Sequence, residues 1–271
     1  MKLRCWGTRG SIPVSLTAPD VRAKIVRALE GAQGRNLSHP GAIAAYVDSL
    51  GFDVAGTFGG HSSCVQIETG GSEHFILDLG TGVRPLGAHM LARYGAAVPQ
   101  TYHVFLSHLH WDHIMGLPFF TPVYIPGNRI VVHSCHPHAE AALRRQQAEP
   151  SFPVRFEQFS AAFEFDTVTP GQAFEVDGTR VIAHAQRHAG DSYGWRFERA
   201  GKSAVYSTDS EHRLEDEDER AGFIAFFRDA DVVVFDGRCD FRQGRLGAFE
   251  QYRRRRVVPG SPGGAPGAVP P

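Results

Sequence analysis

Six consecutive residues constrain this chain more than any other stretch. His108-Leu109-His110-Trp111-Asp112-His113 sets three imidazoles and a carboxylate almost side by side. The run before it, Thr101 to Leu106, is apolar and β-type, and reads as a buried strand. Asp112 stands where the N-cap of a following helix would sit. The ligand-type side chains would then project from a loop at the carboxyl end of a strand, where open α/β sheets place their sites. Imidazole and carboxylate at this density suit zinc, manganese or ferrous iron better than calcium or magnesium. The plain alternative is a run of surface histidines around a turn.

Composition narrows the class without choosing the chemistry. The chain has 271 residues, 42% hydrophobic and 21% charged, as expected of a globular protein with one large or two small domains. A net charge of −1 gives no overall pull toward nucleic acid or an anionic membrane. The four cysteines, Cys5, Cys64, Cys135 and Cys239, form no Cys-x-x-Cys pair and suit free thiols in a reducing compartment. With no signal-peptide-like start and no membrane-length apolar run, the cytoplasm is the expected location.

Along the chain, residues 2–6 read as a first strand entering a loop at Gly7–Ser11. Two glycines around Thr8 and Arg9 would let backbone N–H groups and a guanidinium face an anionic group; a tight turn with a surface arginine fits as well. Residues 15–57 differ in texture. Val21, Ile25 and Leu29 share one helical face, and a second helix is expected over 42–50, giving a helical insertion that serves as a lid, a flank or padding. Strands are expected at 62–68, 74–79, 129–133, 152–154 and 163–165, and helices at 84–94 and 137–147. His133, His136 and His138 read as ordinary surface histidines at a strand end.

His-x-His-x-Asp-His after a hydrophobic strand resembles the signature of the metallo-β-lactamase fold superfamily. Trp6-Gly7-Thr8-Arg9-Gly10-Ser11-Ile12-Pro13, Gly59-Gly60-His61-Ser62-Ser63-Cys64 and Leu77-Asp78-Leu79-Gly80-Thr81-Gly82 come in the order seen in its ribonuclease Z-like and phosphodiesterase-like branch. The resemblance spans residues 1–236. It implies an α/β architecture, an αββα sandwich of two packed mixed sheets with helices outside. It also implies two divalent ions, zinc first and manganese or iron as alternatives. One would take His108, His110 and His188; the other Asp112 and His113; Asp209 would be shared. His188 is preferred over His184, which lies inside a strand. Asp112 would be the catalytic carboxylate orienting a metal-bridging hydroxide, Thr8 and Arg9 would line the substrate, and Asp78 and His61 would support the ligands.

The resemblance then fails at one point. The branch carries a further histidine in a Trp-Gly-His-Ser segment after a strand like 230–236, yet no histidine follows His212 here. Codons for Arg245-Leu246-Gly247-Ala248-Phe249-Glu250, read one nucleotide later, can spell Asp-Trp-Gly-His-Ser. The expectation is a shifted reading frame from about residue 237, leaving 237–271 as an aberrant, disordered tail, the Arg253–Arg256 run as accidental, and the second ion site weakened. The expected function is hydrolysis of a small or short nucleotide phosphodiester, without strong nucleic-acid binding or membrane contact; a homodimer stays open. Thioester or lactone hydrolysis, or a non-catalytic metal-binding remnant, are the competing readings. A redox di-iron relative is disfavoured by His110 and the lack of a flavin-type domain.

Overall fold

A computed structural model of the chain describes residues 1–211 and 216–235. His212 and the expected tail from 237 lie outside those residues. Two sheets make up the frame. The first runs in the order β1 (Lys2–Gly7), β2 (Cys64–Glu68), β3 (His74–Leu77), β4 (Thr101–Leu106), β5 (Arg129–Ser134) and β6 (Ala162–Thr167). Its first three strands pair antiparallel and β3 to β6 pair parallel. The second runs β11 (Val232–Phe235), β10 (Lys202–Ser207), β9 (Ser192–Arg199), β8 (Thr179–Gln186) and β7 (Ala173–Val176), parallel between β10 and β11 and antiparallel elsewhere.

Strand alternation decides the layering. In β4, Phe105 faces the second sheet while Val104 and Leu106 face outward. Phe105 packs against Phe197 and Trp195 at ring separations of 4.9 and 5.3 Å. Each such fully buried aromatic contributes on the order of 1.5–3 kcal/mol over its exposed state. Outside the first sheet, α4 (Val83–Tyr94) buries Val83, Leu86 and Met90 against Val104, Leu106, Ile130 and Val132. Outside the second, α6 (Glu217–Phe227) lays Phe226 on Val205. The arrangement is the expected αββα sandwich.

The insertion expected between the first two strands is present as α1 (Ala18–Gly31), α2 (Pro40–Asp48) and α3 (Phe52–Ala55). Two expectations fail. Residues 152–154 form an irregular bend and no strand, because Pro153 has no N–H to give a ladder. His133 is not a surface residue: it is 4% exposed, on the inner face of β5, stacked on Phe105 at 4.7 Å.

His133 belongs to a polar chain crossing the sheet. Glu73 Oε2 lies 2.6 Å from His103 Nε2, His103 Nδ1 lies 2.9 Å from His133 Nε2, and His133 Nδ1 lies 2.9 Å from Asp166 Oδ2. Three hydrogen bonds need three protons, one more than two neutral imidazoles carry. Burial pulls the His133 pKa down to about 4, against the hydrogen bond it gives to Asp166 and with the His103 and Arg129 charges. His133 thus gives its own N–H to Asp166 and accepts at Nε2. Because the folded pKa is below the usual 6.5, the unfolded chain takes up the proton first as pH falls. The stabilisation is complete above 6.5 and is lost between 6.5 and about 4, a cost of about 3 kcal/mol. Urea unfolding at pH 7.5 and pH 5 should show this decline, and His133→Phe, which keeps the ring stack, should flatten it while lowering stability at pH 7.5.

Candidate metal centre

Two contacts fix where β4 hands over to the histidine loop. Trp195 Nε1 on β9 donates to Leu106 O at 3.1 Å, and Tyr193 N donates to Ser107 O at 2.9 Å. The loop itself closes on Asp78, which follows β3 and has no solvent exposure. Asp78 Oδ1 accepts Ser107 N–H at 2.7 Å, and Oδ2 accepts Ser107 Oγ–H at 2.8 Å, His113 Nδ1–H at 2.7 Å and Tyr206 O–H at 2.6 Å. Burial opposes ionisation of this carboxyl, and the His113 and His108 rings and Tyr206 overcome it, so its pKa is lowered. Burial and the Asp78 charge raise Tyr206 well above its usual range, so it keeps its proton for this bond. Ser63 Oγ, 2.6 Å away, then donates to the Tyr206 oxygen.

After His110 the chain makes one helical turn, α5 (Trp111–Ile114). The N-cap position is His110, two residues earlier than expected; Asp112 lies inside the turn because its carboxylate is occupied elsewhere, 2.8 Å from Ser11 N–H. Backbone packs on backbone here. Leu79 N donates to His113 O, and Gly116 N to Leu79 O, both at 2.7 Å. A Cβ on Gly80 would stand 2.4 Å from Asp112 O, and one on Gly116 2.1 Å from Gly80 O. That crowding accounts for Gly80 in the 77–82 motif and for Gly116 just after the histidine cluster.

The expected ligands converge in two groups. His108, His110, His188 and Asp209 bring one donor atom each within 4.8 Å of one another, and so do Asp112, His113 and Asp209. His188 Nε2 is 3.3 Å from His110 Nδ1 and 3.6 Å from Asp209 Oδ2, which is 3.7 Å from His108 Nε2. In the second group His113 Nε2 is 3.3 Å from Asp112 Oδ2 and 3.6 Å from Asp209 Oδ1. A tetrahedral ion with bonds of about 2.0–2.2 Å holds its donors roughly 3.3–3.6 Å apart, so the spacing fits an ion in each group. The two Asp209 oxygens divide between the groups. Asp209 has φ 38° and Asp78 φ 59°, left-handed positions that aspartate tolerates better than most residues.

The buried Nε2 atoms of His108 and His113 have no hydrogen-bond partner, as metal-ligating nitrogens would not. Burial, then the His113 charge, pulls the His108 pKa down to about 3, leaving a neutral imidazole. Burial also works against a charged His113, but Asp78 and Asp112 push its pKa up to about 10. Without an ion, His113 therefore holds a proton at Nε2 that a cation would displace. Burial alone would raise Asp112, yet the His113 ring and the Ser11 N–H hold it well below the usual carboxylate range.

The other expected residues stand around this core. His61 Nδ1 is 3.2 Å from Thr81 Oγ1, and its carbonyl accepts Thr8 N and Arg9 N. Thr8 Oγ1 donates to Phe58 O at 3.3 Å and Arg9 Nε to Gly59 O at 3.0 Å, so both bond to the segment through which the chain leaves the insertion. Ser11, not Thr8 or Arg9, reaches Asp112. Sequence reading missed it because a backbone N–H at φ 58° leaves no side-chain signature. His184 stacks on Phe226 at 4.7 Å, away from both donor groups, as its place inside β8 implied.

The beta-lactamase superfamily domain family matches residues 75–251. The chain belongs to that family. It is 26% identical over 141 residues to the ribonuclease Z of Prochlorococcus marinus (strain MIT 9515), covering 50% of this chain and 43% of that protein. To the ribonuclease Z of Synechococcus sp. (strain CC9311) it is 25% identical over 173 residues, 62% of this chain and 52% of that one. The chain thus spans about half the length of the curated relatives it matches. The crystal structure of Zn(2+)-bound PqqB from Methylobacterium extorquens superposes with a TM-score of 0.50 at 17% identity, over 87% of this chain and 70% of that chain, a likeness of fold. No helix among the described residues is long and apolar enough to cross a membrane.

Tyr206→Phe tests the Asp78 hub directly. Losing one buried donor to a carboxylate should cost roughly 1–3 kcal/mol in chemical denaturation, with the sandwich retained by circular dichroism.

Proposed function

We propose that the chain is a metal-dependent hydrolase acting on small or short nucleotide phosphodiesters, with two divalent ions, zinc first among them. The observation that carries this is the pair of donor groups sharing Asp209, whose two oxygens face opposite groups. The phosphodiester preference is supported by the likeness to ribonuclease Z proteins. A net charge of −1 favours a short substrate over a long polyanion.

Ions bound there would acidify a water and offset the charge that builds on the phosphoryl group. The chain's own residues do the rest. His108 and His113 present Nε2 from rings whose other nitrogens lie on Ser107 Oγ and Asp78, so ring orientation is set before any ion arrives. Asp112, kept ionised by Ser11 N–H and His113, orients the attacking water and accepts its proton. Thr8 and Arg9 brace the loop that carries Ser11, and contact between the Arg9 guanidinium and the substrate phosphate is part of the proposal. Asp78 and His61 support the ligands without binding the ions.

A second reading rests on the unequal groups, four donors against three among the described residues. The second ion is then held more weakly and activity is low. The proposed shifted frame from about residue 237, with residues 1–236 as the hydrolase domain, would explain the shortfall; the gene's nucleotide sequence decides it.

Metal analysis beside turnover of bis-p-nitrophenyl phosphate separates the readings. The zinc- or manganese-loaded chain should hydrolyse it, lose activity to a chelator and regain it on metal return. Asp112→Asn should cut kcat on the order of 100-fold or more, and Asp209→Ala should lower the ions bound per chain more than His188→Ala does. Turnover indifferent to Asp112→Asn and to chelation would overturn the hydrolase proposal; one ion and no turnover would leave the metal-binding remnant.

A further inference from the structure

Trp111 has the most exposed large apolar side chain among the described residues, at 73%. It opens the helical turn whose next three residues, Asp112, His113 and Ile114, are all buried. An indole so exposed adds little to the packing of the fold. The backbone role of Trp111, accepting Met115 N–H at 2.7 Å, any residue would fill. Its neighbours on both sides, His110 and Asp112, belong to the two donor groups. Ile12, 64% exposed, is a further case next to the donor groups in the chain of contacts. It follows Ser11, whose N–H binds the Asp112 carboxylate. One large apolar side chain thus precedes Asp112 in the chain, and another follows the residue that anchors it.

An exposed indole one residue from the reacting centre suits a planar partner. Tryptophan stacks on aromatic groups and nucleobases with little regard to their identity, and such stacking supplies much of the affinity where a site reads no base edges. Other exposed apolar residues, Val21, Ile25 and Leu29 on α1, stand on the insertion and adjoin no donor group. We propose that Trp111, with Ile12 next to the Ser11 anchor as a lesser contributor, is the specificity-determining platform on which the planar aromatic group of the substrate, a nucleobase or an aryl ester, stacks while its phosphate lies at the donor groups. This rests on the phosphodiester reading above and adds to it the class of group carried by the phosphate.

The test compares adenosine 5′-monophosphate with ribose 5-phosphate, which share the phosphate and sugar and differ by the base. Binding to the metal-loaded full chain is measured by calorimetry, with metal content checked for each variant. Adenosine 5′-monophosphate should bind roughly 10-fold more tightly. Trp111→Ala should bring that ratio close to 1, Trp111→Phe should restore part of it, and Ile12→Ala should lower it less. Acrylamide quenching gives a readout that a purely structural Trp111 would not move, since Trp195 is buried and Trp6 half-buried. Bound adenosine 5′-monophosphate should protect the exposed indole, and ribose 5-phosphate should not. Equal affinity for the two ligands, or a ratio that survives Trp111→Ala, overturns the platform while the phosphodiester reading stands if bis-p-nitrophenyl phosphate is turned over. Failure of both ligands to bind, with no turnover of that diester, overturns both.

Discussion

The Asp78 carboxylate is a full charge with no access to water, tolerable only because four donors surround it. Those donors come from two parts of the fold, the stretch after β4 with Ser107 and, on α5, His113, and β10 of the opposite sheet with Tyr206, while Asp78 itself follows β3. The residue that orients the His113 ring is therefore also a joint between the sheets. Uncoupling site from fold is difficult for that reason. Removing a partner costs stability through an unsatisfied buried charge and, at the same time, frees the ring that presents His113 Nε2.

Asp209 plays a complementary part from the second sheet. It follows β10, and its left-handed backbone turns the carboxylate so that one oxygen faces each donor group. His188, in the loop between β8 and β9, completes the first group. The donors thus come from both sheets, and ions binding between them would reinforce the hydrogen bonds that join these loops through Asp78, Tyr193–Ser107 and His188–His110. The positive charge stored on His113 without an ion does part of that work, facing Asp78 and Asp112 at once.

What could be read from the sequence follows the distance over which each feature is encoded. The 108–113 cluster is contiguous, so its density announced the site, and apolar alternation gave most strands. His188 and Asp209 are separated from it by scores of residues, and only resemblance to a family drew them in. Ser11 escaped because its role is a backbone N–H. The His103–His133 pair escaped for a different reason: β4 and β5 pair His103 with Val131 and Phe105 with His133, so the two rings meet on a diagonal that neither strand reveals alone. Placing the helix start at Asp112 assumed its carboxylate would cap the turn, whereas Ser11 had claimed it. Local rules give way where a side chain has a distant partner.

The insertion shows the same competition from the other side. α1 has no buried residue, although Val21, Ile25 and Leu29 form the apolar face its spacing promised. Polar tethers hold it instead: a Thr17–Asp20 capping box, Lys24 Nζ on the carbonyls of Asp53 and Gly56, and Arg27 on Asp53. Exposed ion pairs and caps contribute little each, and a 14-residue helix without apolar packing is marginal. The insertion is therefore the segment whose local opening costs least. Its two ends, however, are joined by Thr8 and Arg9 on the 58–61 carbonyls and by Val14 N on Gly60 O. That clasp stands between the insertion and Ser11, so helix fluctuations can proceed while the N–H on Asp112 stays in place. Loosening the clasp, and not the helices, is what would reach the carboxylate.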